Sequence, residues 1–184
     1  MGVEGEGWRL AKVTLANERV RLSAAGSLWG GGPSAEDLLD VVRSNGGCAD
    51  LVLRQELAAL KCEAEVLRLN RLRTLTAQLA GRTPGPEASV QKAMSDDHGQ
   101  RVMALAKACA GTAGMLAGSG PGGRTFDWHF GFLFSPALTI GGGTFAIQRN
   151  IVAEKVLGLP RDHNVEDGLS WRETHLGKAG RNAF

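Results

Sequence analysis

Glu18 stands where a hydrophobe is expected. Trp8, Ala11, Leu15, Glu18, Leu22 and Ala25 follow one another at spacings of 3, 4, 3, 4 and 3, which lines them along one side of a helix. A carboxylate held among apolar neighbours loses hydration and becomes a stronger base. The plain alternative is a half-exposed glutamate at the stripe's edge, paired with Arg19 or Arg21. The second candidate is Gly141-Gly142-Gly143-Thr144, directly before a helical stretch. Backbone N–H groups at a helix start, approached through residues without side chains, suit a phosphate or another anion. Thr144 can equally act as a simple cap. No Gly-Lys-Ser/Thr follows, so this is not a P-loop.

Other groupings carry less. Gly118-Ser119-Gly120-Pro121-Gly122-Gly123 follows a helical stretch and not a strand, which removes the dinucleotide reading. Arg68, Arg71, Arg73 and Arg82 read as a solvated helix face. Ser95-Asp96-Asp97-His98 offers acids and an imidazole in a row, but consecutive helical residues point apart, and the run reads as surface. Cys48, Cys62 and Cys109 are odd in number and far apart, which argues for reduced thiols in a cytoplasmic protein and against a disulfide framework or zinc site. His98, His129, His163 and His175 form no i,i+4 pair, so no metal site is expected.

The whole composition sets the class. With 184 residues, 43% of them hydrophobic, the chain can bury a core. A net charge of +2 is too balanced for a nucleic-acid footprint. No apolar run approaches the roughly 20 residues needed to span a bilayer, and the first residues lack the pattern of a signal peptide. Leucine and alanine occur 23 and 24 times, isoleucine three times and tyrosine never, which favours helices over strands.

The elements that must position the candidates follow from periodicity. A first helix is expected from about Trp8 to Ala25, with a broad buried face. Ser34, with Asp37 three residues on, opens a short helix that ends at Asn45-Gly46-Gly47. The longest helix spans about Asp50 to Ala80. Leu53, Leu57, Leu60, Ala64 and Leu67 form its stripe, and Leu72, Leu75 and Leu79 continue it after a small slip. Gly81 and the tight connection Thr83-Pro84-Gly85-Pro86 return an antiparallel partner from Pro86 to Met115. Phe126, Trp128, Phe130, Phe132 and Phe134 read as an aromatic-rich loop packed on the bundle. A last helix runs from Phe145 to Leu157 and stops at Gly158-Leu159-Pro160. The expected architecture is an all-α antiparallel up-and-down bundle over residues 1–160, with a mobile polar tail over 161–184.

Three stretches together resemble the C-terminal helical domain of the acyl-CoA dehydrogenases. They are Gly5-Glu6-Gly7-Trp8 with Leu15-Ala16-Asn17-Glu18-Arg19-Val20, then Pro86 to Lys92, then Gly141 to Arg161. The resemblance implies a flavoprotein using FAD. In such an enzyme a carboxylate removes the α-proton of an acyl-CoA thioester, the β-hydrogen leaves as hydride, and a 2-enoyl-CoA results. The family places its glutamate at one of two positions. One corresponds here to Gly142, which cannot act; the other lies just before an arginine and corresponds to Glu18, before Arg19. The resemblance thus makes Glu18 the base, with Arg19 as support, and assigns Gly143 and Thr144 to FAD contact. It also implies an N-terminal helical domain and a middle β-domain that this sequence does not contain. An expected consequence is an isolated bundle that is inactive alone, with an apolar face inviting self-association or pairing with a homologous subunit. The alternative reading is a non-catalytic assembly subunit paired with a full-length acyl-CoA dehydrogenase.

Overall fold

The computed structural model describes residues 2–22, 28, 31–47, 49–82, 85–115, 128–161, 166 and 168–174, and within the first helix the side chains of 16 and 19–22 are left aside. In chain order the helices are α1 (Gly7–Leu22), α2 (Ala35–Ser44), α3 (Leu51–Leu79), α4 (Ala88–Ala110), α5 (Trp128–Phe134) and α6 (Phe145–Ile151). Short 3-10 segments follow α4 (Gly111–Met115) and α5 (Ser135–Thr139), and a π turn (Val152–Val156) extends α6. No strand occurs among the described residues; one isolated bridge joins Leu28 and Gly31.

Local chemistry sets the helix ends. Ser34 and Asp37 form a reciprocal capping box at α2. Asp50 caps α3 by accepting from the amides of Val52 and Leu53. The ends of α2 and α3 are matching Schellman turns. Gly47 N donates to Val42 O and Gly46 N to Arg43 O; Arg82 N donates to Ala77 O and Gly81 N to Gln78 O. Gly46 and Gly81 sit at φ +88° and +76°, the left-handed region these turns require.

α4 is the hub, in contact with α1, α2, α3, α5 and α6. The core joins Leu28, Leu38 of α2, Leu57 and Leu60 of α3, Val102, Met103, Leu105 and Ala106 of α4, and Leu138. The antiparallel α3–α4 pairing expected from the tight connection is present, and Leu53, Leu57, Leu60, Ala64 and Leu67 face it. Ion pairs tie the layers at the surface. Lys61 meets Glu36 across α2 and α3, and Glu63 meets Arg101 across α3 and α4.

Four expectations are corrected. α1 shows no broad buried face among its described side chains: Trp8, Leu10, Val13 and Leu15 are exposed, although α4 packs on this helix. Leu72, Leu75 and Leu79 of α3 are exposed as well. Past Leu67 the half-buried positions are Asn70, Thr74 and Ala77, at spacings of 3, 4 and 3, and the three leucines lie off that row. The aromatic stretch is a helix from Trp128 and not a loop: Phe130 stacks on Phe134 with centroids 5.8 Å apart, and Gly131 lets α5 close onto Met103. The last helix changes to π pitch at Val152, where Leu157 N reaches Val152 O. In the expected tail, Ser170 donates from backbone and hydroxyl to Glu173, whose carboxyl those bonds hold below its usual range. Residues 116–127, including the glycine run 118–123, and 175–184 lie outside the described residues.

Candidate functional site

The glycine turn before α6 is held by one buried side chain. Gln148 is fully buried and its Nε2 donates to Gly142 O at 2.8 Å and to Gly143 O at 3.2 Å. Gly143 has φ +100°, and a Cβ there would stand 2.7 Å from that same nitrogen. A glycine is therefore required at 143 whatever the turn binds. Thr144 is the N-cap of α6: its Oγ1 accepts from Ile147 N at 3.5 Å while the residue stays exposed. Arg149 lies over the Phe145 ring, 4.4 Å from its centroid.

The turn is also held from its other side. Ile140 N and Gly141 N both donate to Ala137 O, so the chain enters the turn directly from the 3-10 segment Ser135–Thr139. The carbonyl of Leu138 in that segment accepts from Lys92 Nζ of α4 at 2.9 Å. Lys92 also pairs with Asp96 one turn along α4, and neither side chain reaches solvent. Burial pushes the Asp96 carboxyl up to about 6, against the opposing pull of Lys92. Asp96 Oδ1, Ser89 Oγ and Gln148 Oε1 are buried without hydrogen-bond partners among the described residues.

This cluster corrects the surface reading of Ser95-Asp96-Asp97-His98. Asp97 is exposed, but Asp96 is buried and so is His98, whose Nδ1 meets Glu63 Oε2 at 3.2 Å. The error lay in judging neighbours in sequence and not positions at helical spacing. Ser89, Lys92, Asp96, Gly99, Met103 and Ala106 repeat at 3, 4, 3, 4 and 3, and all are buried. Read backwards from Met103 and Ala106, that row carries a lysine and an aspartate four apart into the core.

Glu18 lies on α1 and is exposed, as are Trp8 and Leu15 of its row. The expectation that apolar neighbours bury it is corrected: of the described side chains in the row only Ala11 is half-buried, and Trp8, Leu15 and Glu18 are exposed. Glu18 rests instead on its motif position before Arg19, whose side chain is outside the described set. The arginines at 68, 71, 73 and 82 are exposed, as expected for a solvated face, with Arg68 paired to Glu65. Cys62 and Cys109 form no disulfide, and no cluster of metal-ligating side chains occurs among the described residues. No described helix is long and apolar enough to cross a membrane.

Over residues 5–157 the sequence matches the family described as "Acyl-CoA dehydrogenase, C-terminal domain". This chain belongs to the acyl-CoA dehydrogenase family. It is 33% identical to "Acyl-CoA dehydrogenase IpdE1" of Mycobacterium tuberculosis, over 88% of this chain and 40% of that protein. It is 31% identical to "Acyl-CoA dehydrogenase FadE34" of the same organism, over 88% of this chain and 21% of that one. The fold agrees with the structure of the "Tcur3481-Tcur3483 steroid ACAD" at TM-score 0.71 and 26% identity, covering 88% of this chain and 42% of that one. It also agrees with the ChsE4-ChsE5 complex of Mycobacterium tuberculosis at TM-score 0.66 and 28% identity, with the same coverage. The chain thus spans less than half the length of these relatives. Its all-α bundle is the helical C-terminal fold of the family.

Family membership implies FAD, and the glycine turn is compatible with it at one edge. The Gly142 and Gly143 carbonyls are occupied from below by Gln148. The amides of Phe145 and Ala146 begin α6 without intrahelical acceptors, as at any helix start. Beside them the Thr144 hydroxyl accepts one bond and keeps its proton to donate. Three donors on an exposed rim suit an anionic or carbonyl oxygen of such a group.

Proposed function

We propose that this chain is the helical C-terminal part of an acyl-CoA dehydrogenase whose FAD-dependent site is completed by further polypeptide. That reaction takes an acyl-CoA thioester to a 2-enoyl-CoA. The observation that supports it best is the uncovered row on α1, where Trp8 and Leu15 are 70% and 44% exposed beside Glu18. A row of hydrophobes that carries one carboxylate, open at Trp8, Leu15 and Glu18, suits an apolar surface or acyl chain laid along it.

In this reading the Glu18 carboxylate accepts the α-proton of the thioester and becomes neutral. The electron pair left on the α-carbon forms the new double bond as the β-carbon–hydrogen bond breaks. FAD, when bound, supplies the acceptor for that hydrogen and its two electrons. Arg19 supports the carboxylate, and the rim of Gly143, Thr144 and the first α6 amides holds the cofactor's polar groups. Covering the row removes water from Glu18, which strengthens it as a base. The cytoplasmic location suggested by the thiol pattern belongs to this proposal. A steroid-type acyl-CoA belongs among the substrates to assay, given the steroid ACAD among the similar structures.

The second reading is a non-catalytic subunit that pairs with a homologous acyl-CoA dehydrogenase. The exposure of Glu18 and of Leu72, Leu75 and Leu79 favours it. Purification of the chain alone and together with an acyl-CoA dehydrogenase subunit, followed by flavin absorption and turnover, separates the two. The first reading expects flavin and turnover in the assembled sample and a loss of about 100-fold or more in Glu18→Gln. Undiminished turnover in that variant removes Glu18 as the base and leaves the assembly role. Absence of flavin from every sample removes the cofactor assignment.

A further inference from the structure

Lys92 is the one buried cation that joins the hub helix to the approach to the glycine turn among the described residues. Its ammonium donates to Leu138 O, two residues before Ile140, and Asp96 balances its charge from the next turn of α4. Leu138 is itself buried, so its carbonyl has no ready exchange with water. From there the chain passes through two amides bonded to Ala137 O into Gly141, and from Gly142 and Gly143 to Gln148. The turn is therefore gripped at both ends, by Lys92 before it and by Gln148 after it, and its glycines supply no side chain of their own to fix it.

We propose that Lys92 is a positioning residue: through Leu138 O it fixes the glycine turn 141–143 against α4, with Asp96 as its buried counter-charge. The link to cofactor holding rests on the reading of that turn as a flavin contact. A hydrogen bond from a charged donor is worth more than a neutral one, and leaving a buried carbonyl without any donor is worse still. Loss of the ammonium should therefore loosen the turn by more than it loosens α2 and the N-terminal half of α3, which change only with the global stability.

The test is amide hydrogen exchange on the full chain, read by NMR for Ile140 and Gly141, whose amides donate to Ala137 O at the entry to the turn, and for Leu57 and Leu60 as reporters of global stability. Lys92→Met is the first variant. Lys92→Met combined with Asp96→Leu is the second, since it removes the amine without stranding a buried charge and keeps the comparison possible if the single variant does not fold. The expected result is exchange at Ile140 and Gly141 accelerated by about tenfold or more beyond any change at Leu57 and Leu60, which report the global stability. Equal acceleration at all sites, or no change at Ile140 and Gly141, overturns the proposal. Lys92→Arg, which retains the charged donor, should restore part of the protection at the turn if positioning is the role; failure of any rescue in a folded Lys92→Arg overturns it too. Flavin titration of the wild-type assembly is a separate arm. No binding there sinks the cofactor reading, while the exchange result still decides the role of Lys92.

Discussion

Replacing Lys92 by Met should destabilise the bundle by an amount that a second substitution largely returns. In the native pair Asp96 has a carboxyl pKa of about 6 against an ordinary value of 3.8. That rise of about 2 units already corresponds to about 3 kcal/mol against folding at pH 7, at about 1.4 kcal/mol per unit. Without Lys92, the buried acid escapes by taking a proton. At pH 7 this costs about 1.4 kcal/mol for each of about 3 units above its unfolded pKa, or about 4 kcal/mol. The acid therefore contributes about 1 kcal/mol of new cost, and the Leu138 carbonyl, stripped of its donor, adds about 1–3 kcal/mol. Lys92→Met should then lose about 2–4 kcal/mol. Adding Asp96→Leu deletes the acid and its cost of about 4 kcal/mol, so the double variant should stand near the wild type, within about 2 kcal/mol. Urea unfolding at pH 7, followed by far-ultraviolet circular dichroism, measures all three proteins. A rescue of less than about 1 kcal/mol on adding Asp96→Leu would refute the reasoning, because the buried acid would then not be what makes the single variant unstable.

Further outcomes are expected from the same structure. Because the folded-state pKa of Asp96 lies above its unfolded value, the folded chain binds the proton more readily between about pH 4 and 6. The contribution of Asp96 to stability therefore falls as pH rises through that window and is flat above it; subtracting the double variant's pH profile from the wild type's should show a drop of about 3 kcal/mol. Gly143→Ala forces a side chain into φ +100° and against Gln148, and should lower stability by about 1–3 kcal/mol in thermal or urea unfolding. Thr144→Ala removes the N-cap of α6 and should cost about 1 kcal/mol, with added exchange at Ile147 N. Glu18→Gln touches an exposed side chain and should leave unfolding within about 0.5 kcal/mol of the wild type, so that any loss of turnover in the assembled enzyme is chemical and not structural.

The sequence by itself determined the elements that local chemistry controls. The capping box at Ser34, the glycine stops at 46 and 81 and the cap at Thr144 all depend on a few adjacent residues, and each is where the pattern put it. The core stripe from Leu53 to Leu67 was legible for the same reason: its period is an intrinsic property of the helix. The family motifs were legible because they are strings. Tertiary packing decided the rest. An apolar row states that a face can be covered but not that anything in this chain covers it, and so Trp8, Leu15 and Glu18 stand open while the equally periodic α3 stripe is buried. The polar row of α4 is the converse. Lys92 and Asp96 are hydrophilic by type, yet they are buried because α4 is surrounded by five other helices and the 3-10 segment brings the Leu138 carbonyl to the ammonium. Burial belongs to the neighbours a position acquires, and for charged residues those neighbours come from distant parts of the chain.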